Sequence, residues 1–222
     1  MEHKSLPQDT GLAFYSRVSA SISHELKNAL AVINESAGFL EDVTLMARKG
    51  IPLDPNRLET LAGTVLRQVQ RANTIVKNMN RLAHSLDEKQ ATVDLGALVE
   101  LMLNVSERMA VTRGVKVTGA MPECPVSIVT HPFFLETLLW LLLEFSMAAC
   151  GDPRSVNLRV AGTGSGARIE LSGLSAMTRA GLTDFFAGRS AALLESLGAG
   201  LEVAEGEGRL VVSLPANLPG GC

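Results

Sequence analysis

From Gly11 to Ala47, apolar side chains recur at three- and four-residue steps (Tyr15, Val18, Ile22, Leu26, Ala29, Ile33, Ala37 and Leu40), the spacing of one helix face. This predicts a helix of about nine or ten turns. The stretch Arg48-Lys49-Gly50-Ile51-Pro52-Leu53-Asp54-Pro55 breaks the pattern, and Asp54 followed by Pro55 is a cap and first-turn signal for a second helix. Leu58, Leu61, Val65, Val69, Ala72, Val76, Met79, Ala83 and Leu86 then keep a near-heptad spacing, predicting a coiled-coil-like seam. Two long antiparallel helices cannot enclose a core by themselves, whereas two copies of such a hairpin make a four-helix bundle. A homodimer is therefore expected.

The polar run Asp87-Glu88-Lys89-Gln90 marks the exit from the hairpin, and beyond it the texture changes. Leu95 to Met109 reads as a short amphipathic helix, Val115-Lys116-Val117 as a strand, and Pro132 to Ala149 as a helix so apolar that most of its circumference must be buried. Val156 to Val160 and Arg168 to Leu171 alternate like strands around the turn Gly162-Thr163-Gly164-Ser165-Gly166. Ser190 to Leu197 reads as a helix stopped by Gly198. Leu201-Glu202-Val203 and Leu210 to Leu214 then form a closing hairpin through Gly206-Glu207-Gly208. Helices on one side of a mixed sheet make an α/β sandwich. The expected organisation is a tail over residues 1–10, a helical hairpin over 11–87 and an α/β domain over 88–222.

Composition narrows the possibilities. With 222 residues, 46% of them apolar, the chain has material for a packed core. A net charge of -3, with Lys and Arg scattered, offers no footprint for nucleic acid. The strongest apolar run, Leu138 to Leu143, is bracketed by Glu136 and Glu144 and falls short of the roughly 18 residues a bilayer span needs. The N-terminal Glu2, His3, Lys4, Pro7 and Asp9 lack the apolar core of a secretory signal. A cytoplasmic protein without membrane partners is expected. Cys124, Cys150 and Cys222 are odd in number and far apart, so neither a disulfide framework nor a metal site is predicted.

The chemistry concentrates in Ser23-His24-Glu25-Leu26-Lys27-Asn28. Residues four apart share a helix face, so His24 and Asn28 stand one above the other, with Glu25 about 100° around. His24 falls roughly 200° from both Ile22 and Leu26, which turns the imidazole toward water. A solvent-facing imidazole beside a carboxylate suits a nucleophile: one nitrogen attacks while a hydrogen bond fixes the tautomer through the other.

The segment SHELKN resembles the H-box of histidine kinases, and the helix from Arg67 to Leu86 is similar to the second helix of their dimerisation and phosphotransfer hairpin. The resemblance is strong over residues 11–86 and extends by element order over nearly the whole chain, with an α/β domain resembling a degenerate kinase ATP-binding domain. It implies that His24 is phosphorylated, that Glu25 orients or deprotonates the ring, and that Asn28 aligns water for dephosphorylation or lines a partner's footprint. It also implies docking of a response-regulator receiver domain below the histidine, at Ala31, Val32 and Glu35. Ala29 stands where the family often has a proline.

The second domain departs from the family pattern in three places. At the positions of the metal-binding asparagine stand Trp140 and Glu144. The Asp-x-Gly-x-Gly turn is replaced by Gly173-Leu174-Ser175-Ala176-Met177, and the phosphate loop and lid shrink to Ala187-Gly188-Arg189. Backbone amides cannot cradle a triphosphate without such a loop. The domain is expected to keep its shape without binding ATP. The Gly162-to-Gly166 turn lies between two strands and is expected to be a hairpin connection rather than a nucleotide loop.

A phosphoacceptor helix without a working ATP site resembles the dimeric, kinase-derived histidine phosphotransferases of bacterial phosphorelays. Such a protein passes a phosphoryl group between response-regulator aspartates through His24. It binds no cofactor itself, with Mg²⁺ supplied by the partner receiver. The alternatives are a histidine kinase with a divergent ATP site and a non-enzymatic dimeric scaffold or phosphatase. A fragment of a larger sensor is a third, against which Met1 and the closing Pro219-Gly220-Gly221 read as the ends of a complete chain.

Overall fold

The computed structural model describes residues 5–186 and 189–218. Expectations placed on Glu2, His3, Lys4, Ala187, Gly188, Pro219, Gly220, Gly221 and Cys222 lie outside the described residues. Helix α1 (Ser5–Arg48) is followed by α2 (Pro55–Ser85). It starts at Ser5 rather than at the expected Gly11, because a proline in the first turn, here Pro7, removes an N–H that has no intrahelical acceptor anyway. Gly50, at a φ of 86°, ends α1 in the left-handed conformation that glycine adopts without strain, and its N–H donates to Ala47 O at 3.0 Å. Asp54 caps α2, its Oδ1 accepting from Asn56 N at 3.0 Å.

The chain divides into two compact units. One is Ser19–Arg81; the other joins the chain up to Val18 with Leu82 onward. Within Ser19–Arg81, Ile22, Ala29 and Ser36 of α1 and Ile75 and Asn78 of α2 are buried, while Leu26 and Ile33 are half-buried. The seam expected on α2 lies partly open in the single chain. Val69, Val76 and Met79 are exposed, as is Leu86 just beyond α2, and the buried positions are Ile75, Asn78 and Leu82, one residue away. The helix carries two apolar faces, and periodicity within one helix cannot say which meets its own neighbour.

The other unit is built on α3 (Leu95–Arg113) and a five-stranded sheet with strand order β2-β4-β5-β7-β6. Its strands are β2 (Lys116–Ala120), β4 (Ser155–Thr163), β5 (Gly166–Ser172), β6 (Gly200–Ala204) and β7 (Arg209–Pro215). Only the β2–β4 pair is parallel. Leu158 faces Leu171, and Ile169 lies between Val160 and Val212, so one face of the sheet is a continuous buried layer. Thr163 pairs with Gly166, which makes the glycine-rich turn a hairpin connection as expected.

Helices α3, α4 (Pro132–Ala149) and α6 (Arg189–Ser196) pack together over the domain. Asp94 caps α3 by accepting from Gly96 N at 2.8 Å and Ala97 N at 3.1 Å, and Gly114, at a φ of 62°, closes it four residues beyond the expected Met109. The sequence patterns missed a second, two-stranded sheet of β1 (Ala91–Asp94) and β3 (Ser127–Thr130), and also α5 (Arg179–Phe186). Strands of four residues give too short a run for alternation to register.

Helix α4 is the core of this domain. Among the described residues it alone is long and apolar enough to cross a bilayer, despite Glu136 and Glu144, and 72% of it is buried inside the fold. Its burial is bought by neighbours on every side, so its apolarity reads as core.

Candidate functional site

His24 and Asn28 lie on the exposed face of α1. The Asn28 carboxamide Nδ2 stands 3.2 Å from His24 Nδ1, the geometry that four-residue helical spacing produces. With the amide so oriented, its N–H donates to Nδ1 and the ring carries its proton on Nε2. A half-turn of the carboxamide presents Oδ1 instead, which accepts from Nδ1–H and leaves the Nε2 lone pair open to an electrophile. In either orientation Asn28 occupies one ring nitrogen and leaves the other available.

Glu25 faces elsewhere. Its side chain is only 15% exposed, and Oε2 lies 3.6 Å from Arg71 Nη2 of α2. The ring-nitrogen contact expected of Glu25 is thus made by Asn28, because Glu25 sits about 100° around the helix and is drawn toward a cation on the second helix. Sequence reasoning did not find Arg71: its place opposite Glu25 depends on the register between two helices, which neither helix encodes alone. Ala31 and Glu35, seven and eleven residues after His24, are exposed on the histidine's face, while Val32 is half-buried to one side. Ile22 and Ala29, buried on the opposite side, orient the helix so that this face meets water.

The other unit shows what occupies the positions where the resemblance implies a metal-binding amide. Trp140 is buried against Phe14 of α1, their ring centroids 5.6 Å apart, and Phe14 also packs on Phe133 at 5.9 Å. Glu144 is held by two guanidinium groups, Arg17 at 3.1 Å and Arg113 at 3.2 Å, and Arg113 donates as well to the Glu144 carbonyl at 2.8 Å. An indole under an aromatic ring and a carboxylate already neutralised twice do not fit a nucleotide-bound Mg²⁺. Further along α4, Phe145 packs on Phe185 of α5 at 4.9 Å. In the replaced turn, Leu174 is buried and its N–H donates to Gly208 O at 2.9 Å. Among the described residues no three His, Cys, Asp or Glu side chains group as metal ligands. Cys150 is buried and Cys124 exposed, both as free thiols.

Residues 15–88 of the 222 match the His Kinase A (phospho-acceptor) domain family. The hairpin is similar to the phospho-acceptor domains of histidine kinases. An α/β domain follows the hairpin in the chain. No curated protein matches the sequence. Among solved structures, the chain is similar to the catalytic domain of histidine kinase ThkA, with a TM-score of 0.49 and 11% identity over 59% of this chain and 97% of that one. The Acinetobacter baumannii histidine kinase AdeS gives a TM-score of 0.45 and 14% identity over 87% and 98% of the two chains. A bacterial phosphotransferase gives 0.44 and 16% over 90% and 95%.

Proposed function

We propose that this protein is a histidine phosphotransferase of a two-component phosphorelay, passing a phosphoryl group between response-regulator aspartates through His24 without using ATP. The observation that carries the proposal is the exposed His24 with Asn28 on one of its ring nitrogens, within a hairpin of the phospho-acceptor family. The enclosed Trp140 and the doubly paired Glu144 support a route for phosphate that does not begin at ATP.

Transfer requires His24 Nε2 on the axis of the breaking bond, with its lone pair free. With its carboxamide turned by half a turn, Asn28 accepts from Nδ1–H through Oδ1 and keeps the ring in the nucleophilic tautomer. The receiver domain would hold the Mg²⁺ that neutralises the phosphoryl oxygens, since this chain is not assigned a metal of its own. The receiver docks along the exposed face below His24, at Ala31, Val32 and Glu35. Two copies of the chain pair through the exposed apolar positions of the hairpin, and the protein works in the cytoplasm with its receiver partners.

The test is to incubate the purified chain with γ-labelled ATP and Mg²⁺ and, in parallel, with a prephosphorylated receiver, following acid-labile label on wild type and His24→Gln. Label is expected on wild type from the receiver only, and on the variant from neither. Label on His24 from ATP alone would make the protein an autokinase. No label from either donor would leave a scaffold or a phosphatase.

A further inference from the structure

Arg71, paired with the chain neighbour of His24, is a charged group to which the transfer chemistry has given no task. It stands on α2, and its Nη2 lies 3.6 Å from Glu25 Oε2, beyond the roughly 2.7–3.2 Å of a good N–H···O bond. The arginine side chain is 55% exposed and the glutamate 15%. At that separation the guanidinium, exposed on its own side, keeps N–H donors free of the carboxylate. Glu25 is the chain neighbour of His24, about 100° around α1, so the guanidinium lies on the flank of the helix next to the histidine's face. A phosphoryl group on His24 adds negative charge next to the Glu25 carboxylate, and Arg71 is the cation between the two helices positioned to answer it.

We propose that Arg71 is a further catalytic residue of this site, leaving Glu25 to bind the phosphoryl oxygens as phosphate arrives on His24; the assignment rests on the phosphotransfer role of His24. In the step, the Nε2 lone pair forms the N–P bond while the O–P bond of an aspartyl phosphate breaks. The aspartate carboxylate departs with the bonding electrons, and Nδ1 keeps its proton against Asn28, so the ring becomes a cation. The planar guanidinium offers paired N–H donors that match two phosphoryl oxygens, which a lysine ammonium does not. Lys27, three residues after His24 on α1, is the competing cation, a flexible point charge on the same exposed surface.

The experiment uses the full chain with phosphoramidate as donor, whose P–N bond breaks with ammonia leaving, and follows phosphohistidine by intact mass. Arg71→Gln is expected to slow phosphohistidine formation about tenfold, and Arg71→Lys to recover part of the loss. Lys27→Gln is expected to lose less. In wild type, the Arg71 side-chain NMR resonance is expected to move on phosphorylation and to stay in place in His24→Gln under the same treatment. A wild-type rate in Arg71→Gln, a larger loss in Lys27→Gln, or an unmoved Arg71 resonance would each overturn the assignment. A wild-type chain that gains no phosphoryl group takes down the role of His24 together with that of Arg71. Normal phosphorylation indifferent to Arg71 removes only the latter.

Discussion

The hairpin and the α/β domain spend their apolar residues in opposite ways. In α4 of the α/β domain, Leu135, Leu138, Leu139, Leu142 and Leu143 are wholly enclosed by the chain's own helices and sheet. Along Ser19–Arg81, by contrast, Leu30, Leu45, Met46, Leu66, Val69, Val76 and Met79 stand in water, and few side chains are buried. Covering one such side chain is worth about 1.5–3 kcal/mol, so the hairpin has strong reason to take a second copy, while the α/β domain has little. On the proposed reading, the histidine also has to stand clear of the apolar seams. Ile22, Ala29 and Ser36, buried within the single chain, lie at seven-residue spacing, and His24 falls off that line.

The sharpest way to break this contrast is in the α/β core. Leu139→Ala is expected to cost about 2–5 kcal/mol through lost burial and the cavity left behind. Chemical denaturation at several protein concentrations checks it, because a self-contained domain loses the same amount at each.

The hairpin is expected to answer to concentration instead. Val69→Glu with Val76→Glu places two charges on its exposed apolar face and should shift the solution mass from two chains to one, measured by sedimentation. The thermal transition of the α/β domain should stay where it was. A wild type that is already monomeric at high concentration would remove the dimer from the account.

The smallest effect concerns the start of α4. His131 caps that helix, with Nδ1 accepting from Phe134 N at 3.4 Å and its ring stacked on Phe134 at 3.8 Å. Burial pushes its pKa below the ordinary value, outweighing a backbone hydrogen bond that raises it. The fold therefore favours neutral His131. Its contribution to stability is complete above the unfolded pKa of about 6.5 and is lost as pH falls toward the folded value. His131→Asn keeps a capping oxygen that does not titrate. Its melting temperature should fall less than that of wild type between neutral and mildly acidic pH.

Much of this was legible in the sequence because it is local. The spacing of His24 and Asn28 lies within one helix, the Asp54-Pro55 cap acts over two residues, and the alternation at Leu158, Ile169 and Val212 follows from a two-residue repeat. The apolarity of α4 required burial before any neighbour was known. What covers it was decided elsewhere in the chain: Phe14 lies on Trp140, and Arg17 and Arg113 hold Glu144, across 31 to 127 residues of sequence. The partner of Glu25 was likewise set by the register between α1 and α2, which turned the carboxylate to Arg71. Periodicity reports which face of an element is apolar. Only the packed fold chooses the neighbour that face meets, since that choice minimises exposed surface and unpaired charge over all elements together.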